Sequence, residues 1–232
     1  MRTARLAFPL YDRRQGPDAH NLNPVLIEAL SDAYGAPQSP EDIFDAILCL
    51  LSATSYTRRF AEDLEDVFPH IPFPAEFVTF AEAATIGREI RGLEAFERVP
   101  ADAFRPKAFC KIIGEPGGET SITDIAYADG SLALWKTDGK PVAAFSGLPD
   151  AVWSFTVSGY RVLPRWIDGR KGLPVTLALM RELRDVAARI HELIHWFGQA
   201  DLVLEATLAD SLTRDKLGFP APVPDVTDTN DD

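Results

Sequence analysis

His191 and His195 stand four residues apart in the string His191-Glu192-Leu193-Ile194-His195. On a helix, two imidazoles at that spacing share a face and can grip a zinc ion while the glutamate between them acts as general base, the chemistry of a zinc hydrolase. Gly198 and Asp201 even follow where some zinc proteases place a turn and a third ligand. The surrounding pattern explains the string in another way. The apolar stripe Leu183, Val186, Ile190, Leu193, Ile194 and Phe197 runs through it, as in a packed amphipathic helix whose histidines flank the buried face. Little sequence follows Asp201 from which to build the lower wall of a protease cleft, and it contains no methionine for a Met-turn.

The second chemically loaded stretch, 152–172, carries cations instead of metal ligands. Trp153, Phe155 and Val157 alternate as on one face of an extended strand. Gly159 permits a sharp exit, and Val162, Leu163 and Trp166 then recur at helical spacing. Arg161, Arg165, Arg170 and Lys171 are left to point outward, an arrangement suited to reading DNA. Packing in the core is the expected role of Trp153, Tyr160 and Trp166, which leaves them to buttress the reader loops.

Charge constrains this idea. A net charge of −12 argues against a chain whose whole surface binds nucleic acid. From Gly159 to Ile190, however, seven cations face three acids, a local balance of +4, while much of the acidity lies at 62–66 and after Pro224. Such a bipolar surface can dock one face on phosphate; solvated helix faces are the alternative. No Gly-rich phosphate loop, serine elbow, nuclease pattern, Asn-Pro-Pro-Tyr-like string or methyl-donor loop is present, so no catalytic residue, cofactor or metal is expected. Cys49 and Cys110 lie in apolar contexts and read as small buried hydrophobes. No run approaches the roughly 18 apolar residues of a membrane span, which points to a soluble, cytoplasmic protein without a membrane partner.

The elements that must position these residues form an α+β pattern: an N-terminal helical part, a central antiparallel sheet and a long C-terminal helix. A short strand is expected at 4–11 and a helix at 24–34. Ser39-Pro40-Glu41-Asp42 starts a second helix that runs to Ser52. Another begins at Ser55 and carries Phe60, Leu64 and Val67 inward. Phe68 to Pro74 is extended, because each proline disfavours helix at the residue before it. Pro74 to Leu93 is helical again. From Phe109 the period falls to two, giving strands at 109–113, 122–127, 131–136, 142–145 and 153–157. Turn signals lie at Gly114–Gly118, Ala128-Asp129-Gly130 and Thr137-Asp138-Gly139. After Gly172 the long amphipathic helix returns. The whole is expected to form one domain over 5–210, with helices at 24–95, sheet at 107–158 and helices at 160–210, followed by a disordered acidic tail at 220–232.

The 152–172 segment resembles the Trp-x-Phe-x-Val-x-Gly-Tyr-x-Val-Leu-x-x-Trp pattern near the carboxyl end of Type ISP restriction–modification enzymes. Residues 43–74 are similar to that family's pattern just upstream of its target-recognition region, through Leu50-Leu51-Ser52-Ala53, Tyr56-Thr57-Arg58-Arg59-Phe60-Ala61 and Phe68-Pro69-His70-Ile71-Pro72-Phe73-Pro74. The opening Phe8-Pro9-Leu10-Tyr11 and Asn21-Leu22-Asn23 also fit, so the resemblance runs over most of the chain. It implies sequence-specific recognition of double-stranded DNA for an N6-adenine methyltransferase domain or subunit, with the methyltransferase, motor and nuclease lying upstream and no catalysis in this part. Arg58, Arg59, Arg161, Arg165, Arg170 and Lys171 are then the candidate DNA anchors. Loops between strands, with Arg13, Arg14, Asn21 and Asn23 as further options, are the candidate base readers. His70 stands where the family often has arginine, and Ser158 where it often has glycine. A module that docks a methyltransferase partner without touching DNA, or a zinc hydrolase through His191, Glu192 and His195, are the alternatives.

Overall fold

The computed structural model describes residues 10–12, 14, 16, 18–61, 70–101, 109–112, 121–135, 141–157 and 159–219. Most of the strand expected at 4–11, the positions of Arg13, Leu64, Val67 and Ser158, the turns at 114–118 and 137–139, and the tail from 220 lie outside them, as does the Cys110 side chain. The chain divides into two compact units, Met1–Arg88 with Gln199–Asp232, and Glu89–Gly198.

The first unit is built from capped helices. Asn23 accepts the Val25 N–H at 3.0 Å and starts α1 (Pro24–Tyr34), which Gly35 ends in the left-handed region at φ 68. Ser39 accepts the Asp42 N–H at 3.1 Å and starts α2 (Pro40–Ser52), with Pro40 at the first helical position and two acids in the first turn. Ile43, Ala46, Cys49 and Leu50 are the fully buried stripe of α2. Burial pushes the Cys49 thiol up to about 12, so it packs as a small apolar side chain.

The short α3 (Thr54–Arg59) has no side-chain cap from its own first residues. The next described helix, α4 (Phe77–Glu94), begins three residues later than the apolar pattern suggests. The backbone just before it is engaged elsewhere: Leu212 N–H donates to Phe73 O at 2.8 Å and Ala75 N–H to Asp210 O at 3.1 Å, around a Pro74–Ser211 bridge.

The second unit centres on a four-stranded antiparallel sheet of β1 (Phe109–Ile112), β2 (Asp124–Ala128), β3 (Ser131–Trp135) and β4 (Pro141–Ser146), in the order β1-β4-β3-β2. Asp129 and Gly130, both at positive φ, close β2 onto β3 in the two-residue turn that the Asp-Gly pair signals. Register aligns Tyr127 with Leu132 and Phe145 in one row, and Ile125 with Leu134 and Ala143 in another. These rows pack with Val152, Leu163, Ile167 and, from the long α7 (Leu177–Ala209), Leu179, Met180, Leu183, Val186, Ala187 and Ile190. Helices, a small antiparallel sheet and a long C-terminal helix therefore give the α+β class expected from the sequence.

One expected strand is replaced by a helical turn. Residues 153–157 are not a strand: Asp150–Ser154 form a helical turn, α5, and only Thr156–Val157 are extended, as β5. The alternation Trp-x-Phe-x-Val fits period two, but Pro149 and Asp150 open a helix. The Val152 and Trp153 N–H groups turn back to the Pro149 carbonyl at 3.0 and 3.1 Å. β5 pairs with β6 (Tyr160–Arg161), and α6 (Val162–Asp168) follows directly.

Gly87 of α4 lies where α2 comes closest, since a Cβ there would fall 1.7 Å from the Asp45 carbonyl oxygen. No rotamer relieves a clash between a Cβ and backbone, so the helices must part. Gly87→Ala is expected to cost about 3 kcal/mol by overpacking, read as a lower urea midpoint at unchanged slope.

Candidate nucleic-acid interface

The second unit brings four of the six candidate cations together on β6, α6 and the residues just after it. Three of them lie against aromatic rings. The Arg161 guanidinium sits 4.9 Å from the centre of the Trp153 ring and donates weakly to the Trp153 carbonyl at 3.4 Å. Arg165 sits 4.6 Å from the Tyr160 ring, and Arg170 3.4 Å from the Trp166 ring, with a hydrogen bond to the Trp166 carbonyl at 3.0 Å. A planar guanidinium stacks this way while its N–H edge stays available to an anion, and each contact contributes on the order of 0.5–1 kcal/mol at exposed sites.

The rings are themselves held. Trp153 stacks on Tyr127 of β2 at 4.7 Å and 16°. The Tyr127 hydroxyl lies 2.5 Å from Asp150 Oδ1 and 2.9 Å from Leu148 O; burial and then the Asp150 hydrogen bond push it up to about 12. Trp153 and Trp166 pack against the sheet core, as expected. Tyr160 does not. It is 62% exposed, which overturns its expected core role.

The four cations differ in what neutralises them. Lys171 pairs with Asp168 at 2.9 Å, and that hydrogen bond raises its pKa. Arg170 lies 3.7 Å from Glu182. Among the described residues, Arg161 and Arg165 have no acidic partner. Arg189, one of the seven cations in the basic stretch, is buried: it donates to Asp185 at 2.9 Å and to the Leu93 and Arg98 carbonyls at 3.1 and 2.6 Å, beneath the Phe96 ring. It ties the end of α4 to α7 and does not face solvent.

Arg58 and Arg59 are exposed on α3, in the first unit. The missing cap of α3 comes from Asp201. One carboxylate oxygen accepts the Thr54 hydroxyl at 2.5 Å, and the other accepts the Ser55 N–H at 2.7 Å and the Ser55 hydroxyl at 2.5 Å. Burial alone would raise the Asp201 pKa, but these hydrogen bonds and the Arg58 charge outweigh it and hold the carboxyl below its ordinary value. Two of the further base-reader options serve local structure: Arg14 grips Asp12 at 2.8 and 2.9 Å, and Asn23 caps α1.

The His-Glu-x-x-His string is a packed helix segment of α7. Glu192 is buried, paired with Arg98 Nη2, and accepts the Ala101 N–H at 2.9 Å, so the supposed general base holds a loop in place. His195 is exposed beside Trp196, and Gly198 continues the helix where a protease needs a turn. Asp201 is engaged with α3, and among the described residues no three metal-binding side chains converge.

A family model of Type ISP C-terminal specificity domains matches residues 2–191. The chain belongs to that family. No curated protein matches the chain in sequence. Similar solved structures include a DrdV–DNA complex, at 18% identity over 81% of this chain and 20% of that one, with a TM-score of 0.57. A nuclease-deletion mutant of the Type ISP restriction–modification enzyme LlaGI, in complex with a DNA substrate mimic, is 14% identical over 73% of this chain and 14% of that one, with a TM-score of 0.46. The ATP-dependent Type ISP enzyme LlaBIII, bound to DNA, is 13% identical over 78% and 12%, with a TM-score of 0.48. This specificity-domain chain spans a fifth of the DrdV chain, and the likeness is one of fold.

The rings at Trp153, Tyr160 and Trp166, expected to buttress reader loops, lie beneath the guanidiniums of Arg161, Arg165 and Arg170. The Trp166–Arg170 spacing of four, running from α6 into the turn after it, was a signal in plain view; the Trp153–Arg161 contact depends on α5, which the alternation concealed.

Two measurements check these assignments. Glu192→Gln, leaving Arg98 a neutral partner, is expected to cost about 2 kcal/mol in urea unfolding, with chelator or with added zinc alike. A stability gain with zinc in the intact chain alone would restore the hydrolase reading. Asp201→Asn is expected to cost about 1 kcal/mol at neutral pH by weakening the α3 cap. Because the folded Asp201 pKa is depressed, its contribution is present above the unfolded value near 4 and is lost as pH falls through the folded one. The gap between the two proteins should therefore close in acid.

Proposed function

We propose that this chain recognises a specific sequence in double-stranded DNA for the N6-adenine methyltransferase domain or subunit of a Type ISP restriction–modification enzyme, and catalyses nothing itself. Membership of the C-terminal specificity-domain family carries this reading. The geometry supports it, because Arg161 and Arg165 are uncompensated by acids among the described residues and are held on rings with their charge outward.

In this role the cations bind phosphate oxygens and set the register, while other side chains read base edges. Arg161 and Arg165 are the principal anchors. Arg170 and Lys171 contribute less, since Glu182 and Asp168 already offset their charge. Arg58 and Arg59 are anchors of the other unit. No described helix is long and apolar enough to cross a membrane.

Titration of a mixed-sequence duplex at several salt concentrations, with chelator present, tests the proposal. Binding is expected to weaken with salt, and the pair Arg161→Ala and Arg165→Ala should reduce the log–log slope by roughly 2, one ion for each lost phosphate contact. The pair Arg170→Ala and Lys171→Ala should reduce it by less. Absence of binding by the intact chain at low salt, or a slope indifferent to Arg161 and Arg165, would point to the docking module instead.

A further inference from the structure

We propose that an apolar cavity in the second unit, lined by the end of α4, β5, the start of α6 and α7, is a binding site for a small organic ammonium. One ring of the ligand fills the cavity and its cation rests on the Glu94 carboxylate at the open side. This goes beyond the DNA-recognition reading and does not rest on it.

Shape sets the size of the occupant. The cavity encloses about 180 Å³, and every residue lining it belongs to the second unit. Its floor is Leu93 of α4 with Val186, Ile190 and Leu193 of α7, all buried. Phe155 and Val162 form half-buried walls. Phe96 and Val157, 61% and 41% exposed, stand at the open side. An apolar cavity of about 150 Å³ stays dry and takes up benzene, so this one has room for a ring and a short tail. A stable protein–protein contact buries on the order of 1,000 Å² or more, which a hollow of one-ring size cannot supply; the fit is to a small molecule.

Charge complementarity sets its sign. Two charged residues line the cavity, and only one is free to answer a ligand. Arg189 is buried, its charge offset by Asp185 and its Nη1 donors taken by the Leu93 and Arg98 carbonyls. Glu94 is exposed and, among the described residues, has neither a hydrogen-bond nor an ion-pair partner. Partial burial beside the apolar wall raises its carboxyl above the ordinary value, so a cation placed there restores part of the solvation the carboxylate has lost. An ammonium on an apolar body meets both demands, and a carboxylate ligand meets neither. Phe96 adds a third observation. It follows α4 at φ 59, a conformation that glycine adopts at least cost. A bulky residue kept there against strain, with the Arg189 guanidinium 4.3 Å from its ring centre, holds an exposed ring in fixed position at the open side. Such a ring also attracts the cationic end of a ligand.

The experiment titrates the intact full chain at neutral pH with three probes of similar size: phenethylammonium, phenethyl alcohol and phenylacetate. The ammonium is expected to bind with a Kd of about 1 mM, as suits so small a ligand, the alcohol about tenfold more weakly, and phenylacetate more weakly still. Glu94→Gln should erase the preference for the ammonium over the alcohol. Val157→Trp, which fills the open side, should abolish binding of both, with thermal unfolding to confirm that these substitutions at exposed positions leave the fold intact. In the intact chain, nuclear Overhauser contacts from the probe's ring to the Val162 and Leu193 methyl groups should place it without recourse to any variant. No ammonium binding up to about 10 mM, or phenylacetate binding as tightly, would overturn the inference. So would an ammonium preference that survives Glu94→Gln, binding that survives Val157→Trp, or ring contacts elsewhere on the chain. None of these results depends on the duplex titration, so this inference and the DNA reading can each fail alone.

Discussion

The stack of Tyr127 on Trp153, with Arg161 on the same indole, is the contact on which the cationic face depends. Tyr127 belongs to the sheet, in the inward row with Leu132 and Phe145, and its hydroxyl is fixed by Asp150 and Leu148. Trp153 belongs to the helical turn that leads into the hairpin. The ring pair thus transmits the rigidity of a hydrophobic core to a surface arginine that would otherwise move through several rotatable bonds. The same device recurs at Tyr160–Arg165 and Trp166–Arg170 with progressively different surroundings. Tyr160 is solvent-facing, whereas Trp166 packs on the core and Arg170 lies near Glu182. The orientation of the three guanidiniums follows from ring packing, and the net charge of the chain does not set it.

Carboxylates take the complementary part. Glu192 and Asp201 both lie on α7, and each holds a piece of backbone: Glu192 the Ala101 N–H beside Arg98, and Asp201 the start of α3. Their placement separates structural acids from outward cations, so a chain of net charge −12 can still present two arginines without a described acidic partner. Arg189 shows that the separation is made residue by residue. It has the sign of the basic stretch, yet its guanidinium is enclosed by Asp185, two carbonyls and Phe96. Counting charge along the sequence gave +4 for 159–190; the structure assigns one of those cations to the interior.

Much of the fold was legible because its signals are local. Asn23-Pro24 and Ser39-Pro40 set two helix starts through caps that span three residues, and Asp129-Gly130 set a hairpin through two backbone conformations. The misread elements depend on partners distant in sequence. α4 starts late because residues 210–212 take the backbone before it, and 150–154 turn helical because Pro149 begins a turn inside an alternating pattern. The site was legible in composition and not in geometry. Arg161 and Arg165 could be nominated as outward cations, but the rings beneath them, and the exposure of Tyr160, required the α5–β5–β6–α6 path to be seen. Likewise Glu192 looked catalytic because its partner Arg98 lies 94 residues away.

Stacked arginines suit the proposed role of an acidic protein in approaching an anionic polymer. Overall negative charge slows such an encounter and weakens long-range attraction beyond the Debye length of about 8 Å at physiological salt. Attraction must then come from short-range contacts, where geometry counts more than total charge. A lysine in place of Arg165 would keep the charge but lose the planar stack on Tyr160 and the fork of donors that matches a phosphate. A guanidinium fixed on a ring meets a phosphate with much of its ordering cost already met during folding. On this account the acidity of the remaining surface opposes indiscriminate adhesion to DNA. In the proposed role, binding would depend on the ring-held Arg161 and Arg165, the balance a sequence-specific reader requires.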